Sequence, residues 1–138
     1  MATIPDSARA VLESNALAHL VTLEPDGSPQ VSIVWVGLDG DEIVAGHLPL
    51  HRKLRNIRKD ARVALSIESG TLNAMGLAEY LVVYGTARVT EGGAPELLQR
   101  LAHIYLGPDV VFPPPDAPPG YLTHITVDRL SGVGPWTG

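Results

Sequence analysis

The chain has 138 residues, 45% of them apolar, no cysteine and a formal charge of −5. That length suits one domain over 1–138 with its own core, and the absence of cysteine excludes disulfides, thiolate metal sites and cysteine nucleophiles. No apolar run is long enough to cross a bilayer as a helix, and the first residues lack the basic and apolar regions of a secretory signal, so the expected location is cytoplasmic.

Thr3 is placed to cap a first helix, with Pro5 and Asp6 in its opening turn and Ala8, Val11 and Leu12 as its inward stripe. Ala16 to Leu23 reads as a strand, the segment from Glu24 to Pro29 as a turn, and Gln30 to Val36 as the second arm of a hairpin. Leu38 to Asp41 is a further turn before a strand from Glu42 to Gly46. Leu54, Ile57 and Ala61 recur at helical spacing and predict a short amphipathic helix. A strand from Arg62 to Glu68, a loop from Ser69 to Ala78 and a Val- and Tyr-rich strand from Glu79 to Thr90 come next. Pro95 to Leu106 is helical, with Leu97, Leu98, Leu101, Ile104 and Tyr105 on its apolar face. Gly107 to Gly120 holds six prolines and reads as a tethered surface loop that could cover a site. Thr123 to Leu130 is the last strand, ahead of a Gly- and Pro-rich tail containing Trp136. About six strands joined by hairpins, with small helices between, imply a mainly β protein built as an antiparallel β-barrel.

The charge is distributed unevenly. Six of the ten Lys and Arg residues lie between Arg52 and Arg62, while the remainder carries four basic against fourteen acidic residues. Arg52 and Lys53 fall in the first turn of the predicted helix, where the dipole disfavours cations. A bound anion would reconcile them with that position, and phosphate is the usual one, although a solvated basic face has the same pattern. Nucleic acid is a poor candidate, because the basic run contains no aromatic residue and the rest of the chain repels phosphate backbones.

Other chemistries lack their motifs. His47 and His51 are four residues apart, but Pro49 between them opposes a shared helix, so no metal site is expected. His19 and His124 lie in predicted strands and read as structural. No Gly-x-Ser-x-Gly, Gly-x-Gly-x-x-Gly after a strand, or Walker lysine is present. Trp35 suits a core or a pocket wall. Trp136, in a tail with little structure of its own, calls for a docking partner, either a second subunit or a planar ligand.

The run Lys53-Leu54-Arg55-Asn56-Ile57-Arg58-Lys59-Asp60-Ala61-Arg62 before a strand is the most specific part of a resemblance covering nearly the whole chain. With the hairpin turn Asp26-Gly27-Ser28-Pro29, the strand Val31 to Trp35, Tyr84-Gly85-Thr86-Ala87-Arg88-Val89 and Val127 to Gly132, it resembles the pyridoxamine-phosphate-oxidase-like split β-barrels of the FMN- and F420-binding type. Within these it is similar to the flavin/deazaflavin oxidoreductases that use coenzyme F420. Relatives have proline where this chain has Ala61, and the pyridoxal-binding pattern of true pyridoxamine phosphate oxidases is not evident.

The resemblance implies a homodimer with cofactor grooves at the subunit interface. It implies that Lys53, Arg52 and His51 grip the cofactor phosphate and that Arg55 and Asn56 support that loop or the cofactor's acidic tail. Ser32, Val34 and Trp35 would lie against the ring or ribityl chain, and Tyr80 and Trp136 would reach the ring of the partner's cofactor. The implied activity is F420H2-dependent hydride transfer to a small conjugated acceptor, with Tyr80, Tyr84 and His47 as candidate proton donors. An FMN oxidoreductase on the same barrel, a non-catalytic F420 carrier and a dimer without a ligand remain open.

Overall fold

A computed structural model describes residues 3–137. Seven strands form one antiparallel sheet: β1 (Ala18–Leu23), β2 (Pro29–Val34), β3 (Gly37–Asp39), β4 (Glu42–His47), β5 (Arg62–Leu72), β6 (Ala78–Glu91) and β7 (Tyr121–Val133). Their spatial order is β2-β1-β5-β6-β7-β4-β3. Three helices interrupt them, α1 (Asp6–Leu12), α2 (Arg52–Lys59) and α3 (Ala94–Tyr105), and a 3-10 turn, Pro135–Thr137, ends the described chain.

Alternation decides which face is inside. Leu20 of β1, Leu65 and Ile67 of β5, Leu81 and Val83 of β6, Ile125 and Val127 of β7 and Ile43 of β4 are all buried in one cluster. Strands far apart in the sheet order share that cluster, so the sheet curls around it. Gly85 takes part in the bending: the β6–β7 register slips between Tyr84 and Gly85, and a Cβ on Gly85 would sit 2.7 Å from Ile125 Cγ2.

The hairpin at Asp26 is locally encoded. Ser28 donates to the Asp26 carboxylate from both its N–H and its hydroxyl, which holds that carboxyl below its usual range, and Gly27 takes a φ of 86°.

Several boundaries differ from expectation. The N-cap of α1 is Pro5 with no side-chain capping bond, so Thr3 does not cap it. Gly37–Asp39, expected to lie largely in a turn, pairs with Glu42–Val44 across a tight reversal in which Gly40 has a φ of 61°. The segment expected as a loop, Ser69 to Ala78, mostly continues the β5–β6 hairpin; the reversal occupies residues 73–77, where the Asn73 side chain accepts N–H bonds from Met75 and Leu77. α2 stops at Lys59, which leaves Ala61 beyond the helix, where its carbonyl accepts the Ala87 N–H.

Candidate functional site

The short connection 48–51 joins β4 to α2, and that junction brings three basic side chains together. His47 closes β4, His51 is the N-cap of α2 and Lys53 lies in its first turn. Leu54 and Ile57 bury the inner face of α2. Asn56 pins the helix to β1: its amide Nδ2 donates to Thr22 Oγ1 at 3.1 Å, and that hydroxyl donates to Gln30 Oε1 at 2.7 Å. Asn56 and Thr22 are both fully buried. The structure therefore makes Asn56 a buried scaffold residue that anchors α2, the helix carrying Lys53, to β1.

A groove of about 310 Å³ opens at this junction, within the size range of small-molecule sites. His47, His51 and Lys53 line it beside Gly46, Leu48 and Pro49. Ile33, Val34, Trp35, Leu98 and Phe112 supply apolar and aromatic wall. Gly46 lets α3 pack closely, since a Cβ there would meet Leu98 Cγ at 3.1 Å.

Trp35 is fixed by its neighbours. Its ring stacks on Tyr105 at 5.2 Å with planes 10° apart, and Phe112 meets it edge-on at 5.6 Å. The Tyr105 hydroxyl accepts the Val36 N–H at 3.1 Å and lies within donating distance of the Ala16 and Val36 carbonyls. It thereby joins α3 to the segments flanking β1 and β2. Burial raises the Tyr105 pKa.

The basic groups of the groove bear the electrostatic consequences of proximity. His47 Nε2 is bonded to Thr123 Oγ1 at 2.8 Å, and burial, then Lys53, then His51, lower its pKa from 6.5 to about 3. Burial followed by Lys53 also lowers the His51 imidazole, and burial lowers the Lys53 ammonium. Burial thus disfavours the charged form of each of the three, and a bound anion would favour it. With its pKa near 3, His47 is neutral around neutral pH and does not store a second ring proton there.

The other expected residues are dispersed. Arg52 is exposed and faces Glu24 at 3.5 Å, and Arg55 is exposed outside the groove. Ser32 is not part of the lining, but its buried Oγ has no hydrogen-bond partner in the protein. Tyr80 and Tyr84 are partly exposed on the outer side of β6. Trp136 is 9% exposed and belongs to the central core, donating from Nε1 to the Ser131 carbonyl at 3.0 Å. The tail ring thus docks on its own chain, and it occupies the space a Cβ on Gly134 would need.

Sequence reasoning did not place Tyr105 or Phe112 in the site. Tyr105 looked like one more apolar position of α3. The only signal for Phe112 was that it is the sole phenylalanine, in a loop otherwise crowded with proline.

A second cavity, about 370 Å³, lies between α3 and the β4–β7 side of the sheet. Asp39 and Glu96 line it together with Arg100 and His124, so its mixed charge suits an anion less well.

A curled antiparallel sheet with a groove that is basic in one part and aromatic in another defines the class as a split β-barrel. The chain belongs to the pyridoxamine 5'-phosphate oxidase family, whose sequence profile matches residues 4–134. Among solved structures it is similar to an F420 reductase, at 27% identity over 93% of this chain and 98% of that one, with a TM-score of 0.75. A conserved hypothetical protein from Mycobacterium tuberculosis is 22% identical over 99% of this chain and 96% of its own, with a TM-score of 0.72. HupZ from Group A Streptococcus is 19% identical over 96% of this chain and 97% of its own, with a TM-score of 0.65. The last two likenesses concern the fold alone. No curated protein matches the chain.

Proposed function

We propose that the protein binds coenzyme F420 in the groove between β4, α2 and α3 and acts as an F420H2-dependent reductase of a small conjugated acceptor. The observation that carries this reading is the meeting of Lys53 and His51 with Trp35 and Phe112 in one groove. A ligand with a phosphate at one end and a flat ring at the other answers both. The orphaned Ser32 hydroxyl adds a polar group in need of a partner next to this region of β2. The 27% identity with an F420 reductase favours the deazaflavin over FMN.

When bound, reduced F420 supplies a low-potential hydride. Lys53 and His51 would hold the phosphate by charge-assisted hydrogen bonds. The aromatic wall would orient the ring and keep water from its face.

Pairing of two copies across the outer sheet face is part of the proposal. Val31 and Ile33 on β2 are 59% and 58% exposed, and Tyr80 and Tyr84 on β6 are 41% and 40% exposed. Through β1 and β5 the register joins these positions into one face: Val31 pairs with Val21, Val21 with Ala64, and Ala64 with Tyr84. An apolar face of that kind fits a homodimer, which would bring Tyr80 towards the partner's groove.

The test is a side-by-side fluorescence titration of purified protein with F420 and with FMN. Saturable F420 binding with weaker FMN binding is expected. Preference for FMN makes the protein a flavoprotein of the same fold, and binding of neither removes the function.

A further inference from the structure

Phe112 reaches the groove from the proline-rich loop, and its position there is actively held. The Gln99 side chain, on α3, clamps the loop backbone from both sides: its Oε1 accepts the Phe112 N–H at 2.9 Å and its Nε2 donates to the Val110 carbonyl at 2.9 Å. The same Nε2 lies 2.7 Å from His103 Nε2, so the amide is fully engaged and cannot flip without losing a partner. Apart from a local turn bond from the Val110 N–H to the Gly107 carbonyl, these are the hydrogen bonds that hold Val110 and Phe112 among the described residues. Pro113, the next residue, is buried and anchors the loop on that side.

The ring that this clamp presents has little freedom towards the protein. Trp35 blocks it on the inner side, and Trp35 is itself backed by Tyr105. Phe112 nonetheless remains 36% exposed, so a large aromatic surface stays open at the groove.

We propose that Phe112 is a specificity-determining wall of the groove and that Gln99 positions it, so that the groove selects phosphorylated ligands by the flat ring system they carry. This rests on the cofactor reading above and assigns the ring-recognising element to a loop distant in sequence from the phosphate grip. Charge fixes one part of the ligand, and the clamped phenyl ring tests the other.

The experiment measures the Kd of F420 and its salt dependence for the wild type and for Phe112→Ala, Phe112→Tyr, Gln99→Leu and Lys53→Ala. Phe112→Ala is expected to weaken F420 by about fivefold, the scale of one aromatic contact. Its salt dependence should remain that of the wild type, since the ionic contacts are untouched, whereas Lys53→Ala flattens it. Phe112→Tyr restores the affinity, and Gln99→Leu falls between Phe112→Ala and the wild type with the wild-type salt dependence. Unchanged affinity in Phe112→Ala overturns the inference, as does a loss accompanied by a flattened salt dependence, which marks general damage to the site. If the wild type binds no F420 at all, the cofactor reading falls and this inference falls with it.

Discussion

The ring of His51 stands edge-on to the ring of His47, with centroids 6.2 Å apart and planes 82° apart, where β4 gives way to α2. Lys53 faces the same space. Three groups able to carry positive charge thus meet at a helix N-terminus that has no acidic residue in its first turn and no side-chain cap. Burial disfavours protonation of all three, and the Lys53 charge adds to that at both histidines. The arrangement is poor for the protein alone and good for a bound anion.

Lys53→Ala is therefore expected to weaken F420 by more than about tenfold, corresponding to about 1.5–3 kcal/mol for a charge-assisted contact. Arg52→Ala should do much less, because Arg52 faces Glu24 and is largely exposed. Titration of both variants by fluorescence compares them directly. Equal losses would mean that the helix contributes a diffuse field rather than a specific grip.

His47 links stability to pH. It is neutral in the fold with a pKa near 3, whereas in the unfolded chain it takes up a proton below about 6.5. The unfolded state then binds more protons, so stability falls as pH falls from about 6.5 towards 3. The slope for this one group approaches about 1.4 kcal/mol per pH unit. His51 and His124 are shifted in the same direction and add to it. Urea unfolding at several pH values should give a shallower acid limb for His47→Gln than for the wild type, and an identical limb would remove His47 from the explanation.

Legibility in the sequence followed locality. The apolar run of β1, the Val- and Tyr-rich run of β6, the Asp26-Gly27 turn and the helical spacing of Leu54 and Ile57 are short-range signals. These elements formed close to where expected, although Ala61, the third residue of that stripe, lies beyond α2. β3 was missed because three residues are too few to establish a period. The docking of Trp136 on its own chain was not legible because a tail looks unsupported until α1 and β7 are seen to pack around it. In the site, clustered charge pointed to Arg52 and Lys53, of which Lys53 lines the groove, and the resemblance added His51. Asn56 belongs to the same motif, but its helical position turns it inwards to Thr22, a partner 34 residues away. Tyr105 and Phe112 join Trp35 only through the packing of α3 and its loop, which no window of the sequence contains.

Tyr105→Phe isolates one such long-range contact. The substitution keeps the stack on Trp35 but leaves the Val36 N–H without its acceptor, and it removes a donor near the Ala16 and Val36 carbonyls. A loss of about 1–2 kcal/mol in urea unfolding is expected. Tryptophan fluorescence of the native state should change little, because the ring against Trp35 is retained. A stability within error of the wild type would indicate that water replaces the hydroxyl.

Anion binding should also move protons. In the free protein, burial and Lys53 hold the His51 imidazole below its ordinary range. A phosphate placed between these groups favours their charged forms and raises both pKa values, so binding takes up protons where His51 is otherwise neutral. F420 affinity should accordingly rise as pH falls through the imidazole range. Calorimetric titrations at one pH in Tris and in HEPES, whose ionisation heats differ, measure the uptake. Comparing the wild type with His51→Asn cancels any protonation of the ligand itself. The variant is expected to show the smaller buffer difference; equal differences would place the phosphate away from His51 and leave Lys53 to hold it alone.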